Sequence, residues 1–368
     1  MIRKLFSVEL VDKEKCVEEL VNLFNLCFSD DISNNYWKWK HLYNPHSKID
    51  SKIVLALRGN KIIGARPLLL TEFIKGEQCI LVAQPCDTMV HPDYRRQGIF
   101  KKMNDLAIKY SKEIGIRFFY NFPGWMSRAG YLKQGWKKVY SINKLYLLIK
   151  PDVVFANKLN NSLLTFGVNF FYSKLKNKSF LENVPKNFQL KSFYKYPSVL
   201  KKIDKLYSNE YSGRINLNRN ESFLRWRLDK HPKFHYRYLL FFHSGNFVGY
   251  SVVQINNDEN NVLSGKIMDF LILKNNYNYA RLFLKAVVNY LVKENCVQIY
   301  SWEPQNANLC KVYSLLGFKS YLTFPYNLNN LFLKDKGIYL YSRVVNSKST
   351  FFYNSDNWQL TPIYLDCI

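Results

Sequence analysis

The most informative stretch of this 368-residue sequence reads Asp87-Thr-Met-Val-His-Pro-Asp-Tyr-Arg-Arg-Gln-Gly98-Ile-Phe100. A hydrophobic strand ends at Val90, a basic turn follows, and Gly98 stands where a helix is predicted to begin. Because the first N–H groups of a helix lack partners and carry partial positive charge, this order suits a phosphate or a diphosphate. Gly98 lets the backbone approach the anion closely, and Arg95 and Arg96 add charge. The spacing excludes a P-loop, and the G-x-G-x-x-G pattern of dinucleotide sites is missing.

The sequence on both sides of this stretch alternates between strand and helix patterns. Apolar residues recur at helical spacing over Lys13–Phe28 and again over Gly98–Gly115, which predicts two helices with one buried face each. The other predicted elements are a hairpin at 53–70, strands at 79–90, 117–122 and 136–149, and a short helix at 125–133. We therefore predict an α/β fold with a mixed sheet that carries helices on both faces.

The second half of the chain resembles the first. The matching residues keep a constant spacing: Trp39 and Trp226, and Pro45 and Pro232, lie 187 apart, while Asp87 and Asp269, Tyr131 and Tyr313, and Gly135 and Gly317 lie 182 apart. Such constancy over some fifty residues indicates two copies of one fold.

This duplication predicts four segments. They are a first domain at 1–150, a basic and partly helical linker at 151–205, a second domain at 206–345 and a C-terminal tail at 346–368. In the linker, apolar residues from Phe155 to Phe170 have helical spacing. We expect a helix packed across the two domains there, with a membrane-surface helix as the alternative.

Composition excludes several classes of protein. With 48% hydrophobic and 17% aromatic residues, the chain has enough apolar material for packed cores, which excludes a mainly disordered protein. No apolar run reaches the roughly 18 residues of a transmembrane helix, and no apolar leader is visible in Met1–Cys16. The seven cysteines form no C-x-x-C pair, so we expect reduced thiols, no metal site and a cytoplasmic protein.

The formal net charge of +25 is spread over both halves of the chain. Lys and Arg outnumber Asp and Glu by 25 to 14 in residues 1–150 and by 28 to 14 in residues 151–368. A basic surface attracts polyanions such as nucleic acid, anionic lipid or phosphorylated substrates. The chain is also rich in Asn, Ile, Tyr and Phe, so a general composition bias explains the lysines equally well. Charge alone assigns no function.

Two motifs carry a resemblance to a known family. Val90-His-Pro-Asp-Tyr-Arg95-Arg-Gln-Gly98-Ile-Phe100 resembles the signature of the GNAT superfamily of N-acyltransferases, valine-x-Pro-x-x-Arg-x-x-Gly-x-Gly/Ala. Tyr131-Leu-Lys-Gln-Gly135-Trp136 is similar to the family's Tyr-x-x-x-Gly-Phe. The resemblance covers most of residues 1–150 and implies two tandem GNAT-like domains, the subtype seen near surface-polysaccharide genes. Phe100 departs from the pattern, which has Gly or Ala at that position.

The resemblance also implies roles for individual residues. The basic turn would bind the diphosphate of acetyl-CoA, the acyl donor, through Met89, Val90, Arg95, Arg96, Gln97, Gly98, Ile99, Phe100 and Lys101. A backbone N–H near Met89 or Val90 would donate to the oxyanion, at a bulge where the strand leaves its neighbour. Tyr131 would protonate the departing thiolate, and Asn121 and Trp125 would contact the substrate.

Two further expectations concern the general base and the second copy of the fold. Asp87 lies where a base often projects in the family, and it is the candidate base. Asp269 holds the same place in the second copy, so a structural role shared by both aspartates is the alternative. In the second copy, the arginines and the glycine of the basic turn are replaced by residues 277–280, which read Tyr-Asn-Tyr-Ala. The second domain is therefore expected to keep the GNAT-like scaffold without the CoA loop.

The function implied by the resemblance is transfer of an acyl group from acyl-CoA to a primary amine by direct attack on the thioester. The acceptor partner would be a small molecule, with an amino sugar as one candidate. One alternative is a Fem-like aminoacyltransferase that uses aminoacyl-tRNA on a cell-wall precursor, and another is a non-catalytic tandem GNAT-fold binding protein. The intact turn at Arg95–Gly98 argues against the Fem-like aminoacyltransferase. The loss of that turn in only one of the two copies argues against the non-catalytic binding protein. Nucleic acid is thus not the expected partner, and peripheral membrane contact stays open.

Overall fold

The fold is taken from a computed structural model, which describes residues 6–47, 52–156, 184–201, 203–258, 261–322, 337–346 and 349–365. The apolar stripe predicted between Phe155 and Phe170 falls almost entirely outside these residues, apart from the end of a short helix at Pro151–Ala156. Within the described ranges, no helix is both long enough and apolar enough to cross a bilayer.

Apart from its first strand and its second helix, which were not predicted, the first repeat follows the predicted order of strands and helices. Its strands are β1 (Ser7–Asp12), β2 (Lys52–Arg58), β3 (Lys61–Arg66), β4 (Leu68–Lys75), β5 (Gln78–Pro85), β6 (Met89–Val90), β7 (Phe118–Asn121), β8 (Lys137–Ile142) and β9 (Lys144–Leu148). Its helices are α1 (Val17–Phe28), α2 (Asn34–His41), α3 (Ile99–Glu113) and α4 (Trp125–Lys133), and α5 (Pro151–Ala156) follows. Helix α3 buries Ile99, Met103 and Ala107 on one face, as their spacing predicted.

The second repeat has a similar order of elements, with one short strand added and with two long strands where the first repeat has four. Its strands are β10 (Phe188–Phe193), β11 (Asn216–Leu217), β12 (Tyr236–His243), β13 (Asn246–Asn257), β14 (Leu263–Ile272), β15 (Gln298–Trp302), β16 (Lys319–Ser320) and β17 (Ile338–Val344). Its helices are α6 (Ile203–Glu210), α7 (Glu221–Leu224), α8 (Tyr277–Lys293) and α9 (Ala307–Leu315). The mixed α/β class and the duplication are both confirmed.

The second repeat begins earlier than predicted. Strand β10 lies within the predicted linker, yet it pairs antiparallel with β12 just as β1 pairs with β2. Apolar contacts hold the strand there. Phe188 and Leu190 pack against the core of the second repeat, and the Phe188 ring stacks on the Phe241 ring with centroids 5.3 Å apart. Phe188–Phe193 is therefore the first strand of the second repeat and not linker.

The strands form three sheets, and the two repeats exchange their last strands. The orders are β1-β2-β3-β6, β11-β4-β5-β7-β17-β8 and β10-β12-β13-β14-β15-β9-β16. Strand β9 of the first repeat lies antiparallel between β15 and β16 of the second. Strand β17 of the second repeat lies antiparallel between β7 and β8 of the first. The six-stranded and seven-stranded sheets are therefore each completed by the other half of the chain, whereas the described strands of the four-stranded sheet all come from the first repeat.

The exchange corrects the prediction of one closing strand at 136–149. The chain leaves the first repeat at Asn143, between β8 and β9. The Asn143 amide donates to Glu303 at 3.1 Å and accepts from Ser320 at 2.7 Å, and both partners belong to the second repeat. The prediction of a single strand was wrong because pairing between distant segments of the chain does not alter the local pattern of apolar residues.

Trp39 and Trp226, two of the matching residues, meet at the interface between the repeats. Each indole N–H donates to the backbone carbonyl of the other residue, at 2.9 and 2.7 Å, and the rings stack with centroids 5.2 Å apart. Because equivalent residues make equivalent contacts, the repeats are related here by approximate twofold symmetry. The C-terminal tail completes this interface, since Trp358 is fully buried and the Tyr364 hydroxyl accepts from the Leu217 N–H at 2.7 Å.

Two buried histidines lie close to this interface. Burial lowers the pKa of His46 and of His231 to about 3 in each case. Each Nδ1 accepts a backbone N–H, from Glu72 for His46 and from Lys233 for His231, both at 3.1 Å. The Glu72 carboxylate lies 3.6 Å from His46 Nε2, but it is one-third exposed and does not offset the burial. Both rings are therefore neutral in the folded protein.

We expect the free energy of unfolding to fall as the pH drops from 7 to 5. The unfolded histidines bind protons near pH 6.5, whereas the folded ones do so only near pH 3, so acid favours unfolding throughout that window. The loss is about 2 kcal/mol for each histidine at pH 5. Urea unfolding at pH 7 and pH 5 measures it, and His231→Gln should remove part of the pH dependence. Equal pH dependence in both proteins would contradict this prediction.

Candidate active site

Strands β5 and β6 are separated by a break at Cys86–Thr88. Asp87, at its centre, has a φ of +48°, in the left-handed region that few residues other than glycine adopt. Before the break, β5 runs parallel to β7. After it, β6 pairs instead with β3 in the four-stranded sheet, with Val90 opposite Gly64. Strands β6 and β7 therefore part at this bulge, as the resemblance to the GNAT superfamily implied.

The chain between β6 and α3 forms a tight basic turn. A 3-10 turn covers Pro92–Tyr94, and Arg96 and Gly98 both have positive φ, +63° and +81°. Arg95 Nε donates to the Val90 carbonyl at 3.2 Å and ties the turn to the strand. Among the described residues, no side chain caps the start of α3. The first N–H groups of this helix are therefore available to an anion.

A cavity of about 340 Å³ opens where the turn, β6 and the end of α1 meet. It is lined by Cys27, Phe28, Thr88, Met89, Val90, Tyr94, Arg95, Arg96, Gly98, Ile99 and Phe100. All the predicted donor-binding residues line it except Gln97 and Lys101, which are exposed. Two guanidinium groups and an uncapped helix N terminus make one wall positive, which suits a diphosphate.

Phe100 occupies the position where the family pattern has Gly or Ala. Its ring forms one wall of the cavity and also covers the guanidinium of Arg66, whose Cζ lies 5.2 Å from the ring centroid. On the α4 side, a Cβ placed on Gly130 would lie 3.8 Å from the ring. The bulky side chain thus fits between β3 and α4 and leaves the cavity open.

Tyr131 and Asn121 are held together beneath the bulge. Asn121 Nδ2 donates to the Tyr131 hydroxyl at 2.6 Å and to the Pro85 carbonyl at 2.8 Å. Burial raises the pKa of Tyr131, and the neighbouring Arg66 and Asn121 oppose that shift only in part. The phenol is therefore protonated at neutral pH and is able to donate. Asn121 is buried and orients Tyr131, whereas Trp125, predicted beside it as a substrate contact, is 55% exposed at the start of α4.

Asp87 forms a buried ion pair and does not project freely. Its carboxylate lies 2.8 Å from both Lys40 Nζ and His41 Nε2, and its side chain is 6% exposed. Burial alone would raise the pKa of Asp87, but Lys40 and His41 overcome that effect and hold the pKa well below its usual range. A carboxylate of such low basicity is a poor general base. The geometry favours the structural alternative for Asp87.

A scan of protein families matches residues 12–139 to the model of the "Acetyltransferase (GNAT) domain". This range contains the basic turn, the bulge, α3 and Tyr131. The first repeat contains a GNAT acetyltransferase domain. No curated protein matches the sequence.

Solved structures extend the likeness to the tandem arrangement. A GCN5-related N-acetyltransferase from Anabaena variabilis has a TM-score of 0.61 at 13% identity, over 92% of this chain and 73% of that one. A probable N-acyltransferase from Enterococcus faecalis has a TM-score of 0.62 at 11% identity, over 93% of this chain and 73% of that one. A tandem GNAT protein from the clavulanic acid biosynthesis pathway has a TM-score of 0.54 at 13% identity, over 93% of this chain and 100% of that one. These likenesses show the fold.

The second repeat shows how a GNAT-like scaffold looks without the basic turn. Helix α8 begins at Tyr277, and the side chain of Asn276 caps it by accepting from the Tyr279 N–H at 3.1 Å. Strands β14 and β15 pair only over the first part of β15 and then part, and Thr361 of the tail lines the space that opens there. One of the first helical N–H groups is thus capped by a side chain in the second repeat, whereas none is capped in this way by a described residue at the start of α3.

Several residues of the site were not predicted from the sequence. Thr88 and Tyr94 lie within the stretch Asp87–Phe100 but were assigned no role, and Cys27 and Phe28, at the end of α1, complete the cavity from a helix outside that motif. Lys40 and His41, the partners of Asp87, lie next to Trp39 in the repeated segment, which marked that segment only as structural. Arg66 did carry a signal, because it is a charged residue in the otherwise apolar run Ile62–Leu70.

Proposed function

We propose that the first GNAT domain transfers an acyl group from an acyl-CoA thioester to a primary amine. The observation that supports this most is the cavity of about 340 Å³ at the uncapped start of α3, with Arg95 and Arg96 in its wall. The diphosphate of CoA would be held there by helical N–H groups and guanidinium groups. Strands β6 and β7 part beside the same cavity, which gives the thioester arm a path.

The proposed chemistry uses groups that surround the bulge. Backbone N–H groups near Met89 or Val90 would donate to the carbonyl oxygen as negative charge develops on it. Tyr131, which burial keeps protonated, would give its proton to the departing sulfur. Asp87 is neutralised by Lys40 and His41, so we assign the proton of the attacking amine to solvent water rather than to that carboxylate.

The acceptor that we propose is a small primary amine, for example an amino sugar used in polysaccharide biosynthesis. This choice rests on analogy with two-domain GNAT proteins. The space between the repeats, beside Gln84 and Tyr120, measures about 20 Å³, which holds about one water molecule. An acceptor would therefore reach the thioester from the cavity side. Use of CoA and a small amine agrees with a cytoplasmic enzyme.

Titration calorimetry with acetyl-CoA tests the proposal. We expect one binding site for each chain, because only the first repeat keeps the basic turn. Arg96→Ala should weaken binding about tenfold or more, since a hydrogen bond to a charged group contributes roughly 1.5–3 kcal/mol. Gly98→Asp should abolish it, because a carboxylate would then face the diphosphate. Lys112→Ala, which removes an exposed cation from the far end of α3, is the matched control. Absence of binding to the wild-type protein would overturn the proposal.

A further inference from the structure

Arg66 is a fully buried cation without a carboxylate partner among the described residues. It is 0% exposed, and its Nη1 donates to the Thr88 hydroxyl at 2.9 Å. Its Nε and Nη2 make no hydrogen bond of normal geometry in the described part of the chain, although the guanidinium lies near enough to the Tyr131 hydroxyl to interact with it. Arg219, equally buried in the second repeat, is instead paired with Asp269 at 2.7 Å. Burying an unpaired cation is costly, so two unused donors at one guanidinium call for a function.

The position of Arg66 points to that function. Thr88 and Phe100, which contact the guanidinium, both line the cavity, whereas Arg66 itself does not line it. Tyr131, the proposed proton donor, is a further neighbour, close enough that each group changes the pKa of the other. Among the described residues, Cys86 at the bulge and Arg343 on β17 also interact with the Arg66 charge. Arg66 thus contacts two residues of the donor cavity and interacts with the proposed proton donor.

We infer that Arg66 is a catalytic residue that stabilises the departing CoA thiolate through Nε and Nη2, after the Phe100 ring turns aside for the acyl donor. The inference rests on the proposed function. The amine nitrogen forms a bond to the thioester carbon, and the carbon–sulfur bond breaks with its electron pair going to sulfur. Sulfur takes the Tyr131 proton, Tyr131 regains one from water, and the amine loses one to water. Arg66 transfers nothing and acts by its charge.

The test is the pKa of the thiol of CoA bound to the full-length protein, followed by thiolate absorbance near 240 nm. The complex with desulfo-CoA, which lacks the thiol, provides the blank and removes the signals of tyrosines and cysteines. In the wild-type complex we expect the thiol pKa to lie at least about one unit below that of free CoA, because a cation faces the sulfur. Arg66→Gln should return it to the free value while changing CoA affinity less than about threefold, since Arg66 does not contact the diphosphate.

Further variants separate this inference from a merely structural role. Arg66→Lys keeps the charge and should keep part of the lowered thiol pKa, even where Arg66→Gln folds poorly. Phe100→Ala removes the ring and should keep the full effect with CoA affinity at least equal to that of wild type. Equal thiol pKa values in wild type and Arg66→Gln, with CoA bound in both, would overturn the role of Arg66 alone. Failure of the wild-type protein to bind CoA would overturn the proposed function as well.

Discussion

Residues 1–170 expressed alone should not form a stable domain, whereas the full chain should unfold in one cooperative transition. The reason is the exchanged strand β17, which lies between β7 and β8 of the first repeat. Among the described residues, β8 pairs with no other strand. The first repeat also loses Leu340 and Tyr341 from its cores when β17 is absent. A fragment with two unpaired strand edges and exposed apolar surface is expected to aggregate.

Urea unfolding followed by circular dichroism measures this effect on both halves of the chain. The fragments 1–170 and 171–368 should each lack a cooperative transition, and mixing or co-expressing them should restore one, because together they contain both exchanged strands. The full-length protein is the control. A cooperative transition for 1–170 alone, with a midpoint similar to that of the full chain, would show that the exchange is not needed for folding.

Replacing either of the equivalent aspartates by asparagine should lower the free energy of unfolding by about 3–5 kcal/mol. Asp269 is fully buried with Arg219, and it also accepts from Tyr207 at 2.7 Å. Asp87 is paired with Lys40 and His41. Neutralising the carboxylate leaves a buried cation without its counter-charge, which is the costly state.

The same pair of variants decides between the two roles considered for Asp87. A structural role predicts that Asp87→Asn and Asp269→Asn lose similar stability, measured by urea unfolding. Asp93→Asn is the matched control, because its side chain is 80% exposed and surface changes stay within about 0.5 kcal/mol. An Asp87→Asn protein with wild-type stability and no acyl transfer would show instead that Asp87 is the general base.

The sequence predicted the parts of the fold that are recorded locally. Helix α3 and the turn before it lie in one continuous stretch, and their apolar spacing, glycine and arginines can be read without knowledge of partners. The duplication was visible because several pairs of matching residues, Trp39 and Trp226 among them, share a constant spacing in the sequence. In the structure these two tryptophans contact each other. By contrast, the pairing of β17 with β7 joins segments more than 200 residues apart, and nothing in the pattern of either strand specifies the partner.

The residues of the candidate site likewise fall into two groups, those that a local motif identifies and those that only the folded structure brings together. The donor-binding residues of the turn are contiguous, so a motif identified them and the cavity brings most of them together. The chemistry around Asp87 depended on Lys40 and His41, which come from α2, and no local signal shows that two cations would meet one carboxylate. Likewise, the contact of Arg66 with Phe100 arises only when β3 and α3 pack together. The sequence did not show which charged residues from different helices and strands would contact each other.

The central claim is that the first turn of α3 binds the diphosphate of CoA, and a crystal structure of the full chain with CoA tests it most directly. We predict one CoA for each chain, with the diphosphate on the N–H groups that follow Gly98 and beside Arg95 and Arg96, and with the pantetheine arm between β6 and β7. A diphosphate bound at α8 or elsewhere on the surface, with the cavity at α3 empty, would contradict the claim.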